Sequence, residues 1–263
     1  MNKQNLLKLK RKLDYHYRAF DRTTISPDPL QFLHNYNDFY NIELAGIIAS
    51  TFAYGNVTQI INSLQKVFGI LGNNPLEFVL NYKYESDRKY FKGIKHRFYT
   101  EDDISKLFYG LNKVYTVYGS LNYLFVLYYF DNEENIKDSV SRFCNNLTDL
   151  CSIEKTVSPG LKFMFPDPYK GSACKRMNLF LRWMVRRDEL DFGLWKEIPK
   201  NRLLIPVDTH IARICKELKL TKQKNVSWKM AEEITGNLKK IEPVDPVKYD
   251  FAICHLGIRK MDF

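Results

Sequence analysis

The chain has 263 residues, of which 45% are hydrophobic and 14% aromatic, a composition typical of a folded globular protein. No apolar run approaches the ~18–20 residues of a membrane span, and charges interrupt the N-terminal apolar positions, so we expect neither a span nor a signal peptide. The formal charge of +10 favours a polyanionic partner, nucleic acid before an anionic membrane surface. A basic protein with merely solvated charges explains it equally well.

Five scattered cysteines form neither a CxxC pair nor a zinc spacing. They predict reduced thiols and a cytoplasmic, nucleoid-associated protein. The cysteines are Cys144, Cys151, Cys174, Cys215 and Cys254.

The N-terminal third of the chain reads as consecutive helices. Residues 3–20 predict an amphipathic helix with a cationic face, and Asp28 followed by Pro29 predicts an N-cap and first-turn pair for the next helix. Asn41 is the candidate cap of a nearly all-apolar segment that reaches Gly55, which we expect to be a buried central helix. Further helices are predicted over 57–71 and 75–82.

The middle of the chain continues the helical pattern. Residues 85–100 interleave basic and aromatic side chains, which suits phosphate contacts with base stacking. An amphipathic helix explains the same residues, and we favour that interpretation. Periodicity predicts helices over 101–118, 120–129 and 135–150, whereas 161–168 carries two prolines and is predicted to be a connecting loop. Without sustained β-alternation, the sequence predicts an all-α fold.

Lys175 lies in the first turn of the amphipathic helical pattern KRMNLFLRWMVRRD, with Asn178 and Arg182 on the same polar face. The positive end of the helix dipole and nearby cations should lower the pKa of this lysine. A partly neutral lysine can act as a nucleophile and form a Schiff base. The alternative is a solvated helix lysine, which is much the commoner case.

Asp208 immediately precedes a second amphipathic pattern and is a candidate N-cap. Backbone N–H groups would then hold its carboxylate ionised and fixed in place, as stabilising a developing cation requires. It could equally be a cap and nothing more.

Three segments together resemble the helix-hairpin-helix superfamily of base-excision DNA glycosylases. GSACKRMNLFL is similar to the hairpin and lysine helix of that superfamily, and IPVDTHIARICKEL to its aspartate segment, which is the more specific match. DPVKYDFAICHLG is similar to the helix that follows. The resemblance covers about residues 160–260. It implies an all-α fold of two helical subdomains with a cleft between them, formed by residues 41–186 and by residues 1–40 with 187–263.

The resemblance also implies an activity. Lys175 would attack C1′ of a damaged nucleotide and cut the strand by β-elimination, while Asp208 would stabilise positive charge on the sugar. The partner would be double-stranded DNA with a damaged base, bound by a monomer. DNA contacts are expected from Lys170, Gly171, Ser172, Arg176, Arg182, His210 and Arg213. Candidates for the base pocket are Trp183, Trp195 and Trp228.

The sequence departs from the superfamily pattern in three ways. The hairpin GSACK lacks the second glycine, which puts its phosphate-contacting turn in doubt. The separation of Lys175 and Asp208 is long, as in the archaeal 8-oxoguanine glycosylase branch, so an oxidised purine, most of all 8-oxoguanine, is the expected substrate. No four-cysteine loop follows, so no iron–sulfur cluster or other cofactor is expected. The block DPYKGSACKRMNLFLRWMVR also resembles a bacterial family of conserved proteins of the DUF2400 type.

Two other functions are compatible with the sequence. The altered hairpin would suit a non-catalytic nucleic-acid-binding protein on the same scaffold. A glycosylase for alkylated bases would use Asp208 alone, and the presence of Lys175 argues against it. Within the glycosylase interpretation, the long segment 186–202 with Trp195 is expected to decide substrate choice.

Overall fold

The computed structural model describes residues 3–132, 134–153 and 156–258. Over these residues the chain is all-α: its only β-type pairings are two isolated bridges. Short 3₁₀ helices supplement the α-helices at Arg22–Thr24, Pro29–Asn35, Arg88–Phe91, Pro168–Lys170, Lys200–Arg202 and Pro246–Tyr249. The α-helices are α1 (Lys3–Tyr17), α2 (Phe39–Phe52), α3 (Val57–Leu71), α4 (Pro75–Asn81), α5 (Tyr84–Asp87), α6 (Glu101–Val117), α7 (Leu121–Val126), α8 (Lys137–Cys151), α9 (Pro159–Met164), α10 (Lys175–Val185), α11 (Thr209–Glu217), α12 (Trp228–Lys239) and α13 (Asp250–Ile258).

The helices fall into two compact units. The terminal unit comprises residues 1–25, 133–136 and 168–263, and the central unit comprises 26–132 and 137–167. These boundaries differ from the expected ones, because residues 168–186, with the lysine helix α10, belong to the terminal unit. The physical reason is that α10 is tied by buried ion pairs to carboxylates from later in the chain.

The central unit is built around α2, which is buried over nearly its whole length, as its apolar sequence predicts. Its one acidic residue, Glu43, is fully buried and accepts hydrogen bonds from the Tyr115 hydroxyl at 2.6 Å and from the backbone N–H groups of Leu121 and Asn122 at 2.9 Å. These hydrogen bonds at the positive end of α7 offset the cost of burying the Glu43 carboxylate. They also satisfy backbone amides in the first turn of α7, which have no partner within the helix. The largely apolar α2 is therefore joined to α6 and α7 by a buried, hydrogen-bonded carboxylate.

Several predicted helix boundaries are confirmed. Asp28 caps the 3₁₀ helix that begins at Pro29, α3 spans the predicted 57–71, and α4 begins at Pro75. Asn41 is not the cap of α2, however. Asp38 has that role and accepts from the Asn41 backbone N–H at 3.0 Å.

Two local predictions are wrong. Part of the predicted connecting loop 161–168 belongs to α9, because Ser158 caps that helix and Pro159 fits its first turn. Residues 85–100 do not form one amphipathic helix. They comprise the end of α5, a 3₁₀ helix and a tight turn between His96 and Tyr99.

The terminal unit packs α1 against α13. Phe20 lies edge-on to Phe251 with ring centroids 5.3 Å apart, and the Tyr249 hydroxyl donates to Asp14 at 2.7 Å. All five cysteines are free thiols. None of the helices described here combines the length and the apolar character that crossing a bilayer requires.

Candidate active site

Lys175 is the first residue of α10, as the sequence predicts. The preceding turn bends through Gly171 at φ +84° and Cys174 at φ +46°. The superfamily pattern has its second glycine at the position of Ala173, which is not in the left-handed region; the left-handed residue is the next one, Cys174. A non-glycine residue therefore takes the left-handed conformation directly before the helix.

Asp208 is the N-cap of α11, which confirms the prediction. Its Oδ1 accepts from the backbone N–H groups of His210 and Ile211, both at 2.9 Å. Because one carboxylate oxygen is fixed by the helix, the other is free to point at a partner. That partner is Lys175.

The Lys175 Nζ atom lies 2.9 Å from Asp208 Oδ2. The Lys175 side chain is 28% exposed and that of Asp208 is 32% exposed, so the pair is held by the fold but open to solvent. The structure thus brings together two residues that are 33 positions apart in sequence, each at a helix start. A lysine and a fixed carboxylate at hydrogen-bond distance can supply a nucleophilic amine and a stabilising negative charge.

The predicted direction of the Lys175 pKa is wrong. Burial lowers the pKa of Lys175, but the charge of Asp208, assisted by Cys254, the Asp208 hydrogen bond and Asp250, outweighs it and raises the pKa above the ordinary 10.5. Burial raises the pKa of Asp208, yet Lys175 and the backbone N–H groups outweigh burial and hold that pKa below its usual value. The resting pair is an ammonium and a carboxylate.

Two further cations, Arg182 in α10 and Arg186 directly after its last residue, are buried. Arg182 pairs with Asp250 at 2.5 Å and with Asp191 at 3.1 Å. Arg186 contacts Asp191 through Nη1, Asp188 at 2.9 Å and Asp245 at 2.8 Å. Two arginines thus face four carboxylates, and this negative surplus extends to Lys175 through Asp250.

The residues predicted to contact DNA differ in their exposure to solvent. Lys170 and Gly171 are exposed, and Ser172 and His210 are half-buried. Arg213 is exposed and pairs with Glu217 at 3.0 Å. Arg176 is only 7% exposed. The prediction is wrong for Arg182, because a guanidinium held by two buried carboxylates does not face a phosphate.

The three tryptophans are core residues. Trp183 and Trp195 are completely buried, and Trp228 is 2% exposed. Trp195 lies edge-on to Phe180 at 5.2 Å, and its backbone N–H donates to Met184 O at 2.9 Å. The segment 186–202 therefore packs on α10 and contributes carboxylates to its arginines. The prediction of a base pocket at these rings is corrected: they have no face open to a base.

Sequence reasoning missed Asp250 and Cys254, which lie on α13 and act electrostatically on Lys175. Helical periodicity could have found them, since they fall one turn apart on one face. Among the described residues, no group of three or more His, Cys, Asp or Glu side chains is arranged to hold a metal ion.

Residues 28–259 match a family described as Protein of unknown function (DUF2400). The chain belongs to this family. The match includes Lys175, Asp208 and the carboxylates around α10. No curated protein and no solved structure matches the chain.

Proposed function

We propose that the protein is a base-excision DNA glycosylase with abasic-site lyase activity, acting on an oxidised purine, most of all 8-oxoguanine. The 2.9 Å contact between Lys175 Nζ and Asp208 Oδ2, in a partly exposed position, is the main support for this function. The resemblance of the lysine and aspartate segments to helix-hairpin-helix glycosylases supports it independently. The net charge of +10 suits a polyanionic substrate.

In this mechanism the bond from Lys175 Nζ to C1′ forms as the bond from C1′ to the base breaks. The departing base takes the electron pair and, from Nζ, a proton. The C1′–O4′ bond then opens, O4′ takes a proton from solvent, and an imine remains between Nζ and C1′. Loss of a 2′ proton expels the 3′ phosphate and cuts the strand. Asp208 stabilises positive charge on the sugar while the first bond breaks.

The raised pKa of Lys175 adds one step. The ammonium must lose a proton before it attacks, and Asp208 is a poor acceptor because its own pKa is lowered. The 28% exposure of the lysine gives solvent access to that proton.

Borohydride trapping tests the proposal. Wild-type protein mixed with a duplex containing one 8-oxoguanine should form a covalent complex that survives denaturation. Lys175→Gln should abolish it, since Lys175 supplies the amine that lies 2.9 Å from Asp208, whereas Lys229→Gln, at an exposed position on α12, should trap like wild type. No adduct with any oxidised, deaminated or abasic duplex would refute the lyase.

A non-catalytic nucleic-acid-binding protein is the second candidate, and the raised pKa of Lys175 favours it, because an ammonium binds a phosphate better than it attacks a sugar. This function predicts salt-dependent duplex binding and no adduct. Equal binding by wild type and Asp208→Asn, together with failed trapping, would select it.

A further inference from the structure

We propose that the turn between His96 and Tyr99 in the central unit is a binding site for an unpaired nucleobase and its adjoining phosphate, with Phe98 as the stacking surface and Arg97 as the cation. The site lies outside the Lys175–Asp208 pair and does not depend on imine chemistry. Its evidence is the backbone of the turn, the aromatic cluster beneath it and the exposure of its tip.

The turn is tight and firmly anchored. His96 and Tyr99 exchange backbone hydrogen bonds of 3.1 and 2.9 Å, which leaves Arg97 and Phe98 as a two-residue tip. His96 is 2% exposed and Tyr99 is 1% exposed, and the Tyr99 hydroxyl donates to Thr51 O at 2.9 Å. The anchors are therefore in the core, while the tip faces solvent.

The tip presents its side chains at a conformational cost. Arg97 has φ +52°, in the left-handed region that favours glycine. The Arg97 side chain packs against Gly55, which has φ +98°. A Cβ atom at position 55 would lie only 2.7 Å from the Arg97 side chain, so the absence of a side chain at Gly55 leaves room for Arg97. A strained arginine fitted against a glycine is a conformation that the surrounding fold enforces, and such strain is concentrated at functional positions.

An aromatic cluster holds Phe98 rigid from below. The ring of Phe98 is parallel to that of Tyr54, with centroids 6.3 Å apart, and both rings meet Phe163 at 4.9 Å. The Phe98 backbone N–H also donates to the Tyr54 hydroxyl at 3.3 Å. Despite these contacts Phe98 remains 59% exposed. A rigid, exposed ring loses little entropy when a base stacks on it.

The charges around the tip suit a nucleotide. The Arg97 guanidinium lies over the Tyr54 and Phe98 rings, 5.6 Å from each ring centroid, so a cation accompanies the exposed ring. Lys95 and Lys162, each next in sequence to a residue of this cluster or turn, are exposed. Cations beside a stacking ring form the arrangement that single-stranded nucleic-acid sites use, with the base on the ring and the phosphate on the cation.

Binding of a short single strand tests the site directly. Anisotropy of a fluorescein-labelled 12-mer gives Kd, and a 2-aminopurine in the same strand reports stacking. Phe98→Ala should weaken binding about tenfold and abolish the 2-aminopurine response, because stacking is lost. Phe98→Tyr should restore both. Tyr90→Ala removes another exposed aromatic ring of the central unit, 49% exposed, and is the matched control that should bind like wild type.

Arg97→Gln separates charge from backbone conformation. It should lower the slope of log Kd against log salt by about 0.7, the value for one phosphate contact on a single strand. DNA and RNA strands of one sequence show which sugar is accepted, and stacking by either supports the site. Thermal unfolding checks that each variant is folded; Phe98→Ala should be, given the exposure of the ring.

The outcome is separable from that for Lys175. Loss of binding by Phe98→Ala, with binding kept by Lys175→Gln, supports the turn even if borohydride traps nothing. If borohydride traps the wild-type protein but Phe98→Ala and Arg97→Gln bind the single strand as the wild type does, the nucleobase site at the turn is wrong and the lyase proposal is retained.

Discussion

The charged residues at the two ends of α10 differ in their exposure to solvent. At the start of the helix, Lys175 meets one carboxylate at 2.9 Å and both side chains are about a third exposed. About two and three turns later, Arg182 and Arg186 meet four carboxylates with guanidinium side chains only 2–3% exposed. Sequence makes these cations look alike, but the open pair can meet a substrate and the buried cluster can only hold the fold.

Among the variants proposed here, Arg186→Ala is expected to have the largest effect on stability. It leaves Asp191, Asp188 and Asp245 without their common cation, so we expect a loss of about 3–5 kcal/mol of unfolding free energy. The exposed neighbour Arg187→Ala should change it by less than about 0.5 kcal/mol. Urea denaturation at pH 7 measures both. A similar small loss in the two variants would mean that the cluster adds no stability.

Trp195→Ala tests the segment 186–202, which covers α10. Its ring is completely buried against Phe180, so the cavity should cost about 3–5 kcal/mol and lower activity on every substrate alike. Trp195→Phe, which keeps much of the volume, should lose less. A changed lesion preference at unaltered stability would restore the idea that this tryptophan selects the substrate.

Asp208→Asn tests how the charge of Asp208 affects Lys175 in the partly exposed pair. Removal of the anionic partner should let burial prevail, so that the pKa of Lys175 falls and its reactivity shifts to lower pH. With cyanoborohydride and a preformed abasic duplex, the trapping rate of the wild type should rise with pH from 6.5 to 9.5. At neutral pH the variant should be trapped faster than the wild type. In the proposed excision of 8-oxoguanine the variant should be slower, because the charge of Asp208 is missing. Glu217→Gln, remote from the pair in its contacts, should follow the wild-type profile. Superimposable profiles for all three would contradict this electrostatic role.

The smallest expected effect separates the cap from the charge. Asp208→Ala removes the acceptor for His210 and Ile211 and should cost about 1 kcal/mol, whereas Asp208→Asn still caps and should cost only tenths. The folded pKa of Asp208 lies below 3.8, so its contribution is full above that pH and is lost as pH falls through the folded pKa. Unfolding curves between pH 7 and pH 2 should show the wild-type advantage shrink. Equal stability of the two variants at pH 7 would exclude a structural cap.

Sequence alone determined the all-α class and several of the helix starts. Proline, aspartate and apolar periodicity act locally, so α3, α4, the start of α10 and the Asp208 cap could be predicted from short stretches. The predominantly apolar α2 could be predicted as central, since no face of it is rich in charged residues.

Only the tertiary structure decided which charges meet. The helical pattern does not distinguish Lys175, which stays open, from Arg182, which is buried, because Asp191 reaches Arg182 through the fold of the segment after α10 and Asp250 comes from a helix 68 residues away. Asp208, with a smaller contribution from Asp250, reverses the direction of the pKa shift that the helix start predicts for Lys175. Likewise, the basic and aromatic residues before Thr100 fit a helix by pattern, yet packing on Tyr54 and Gly55 makes them a turn with Phe98 at its tip. Charge and ring positions depend on long-range contacts, whose free energies no local pattern contains.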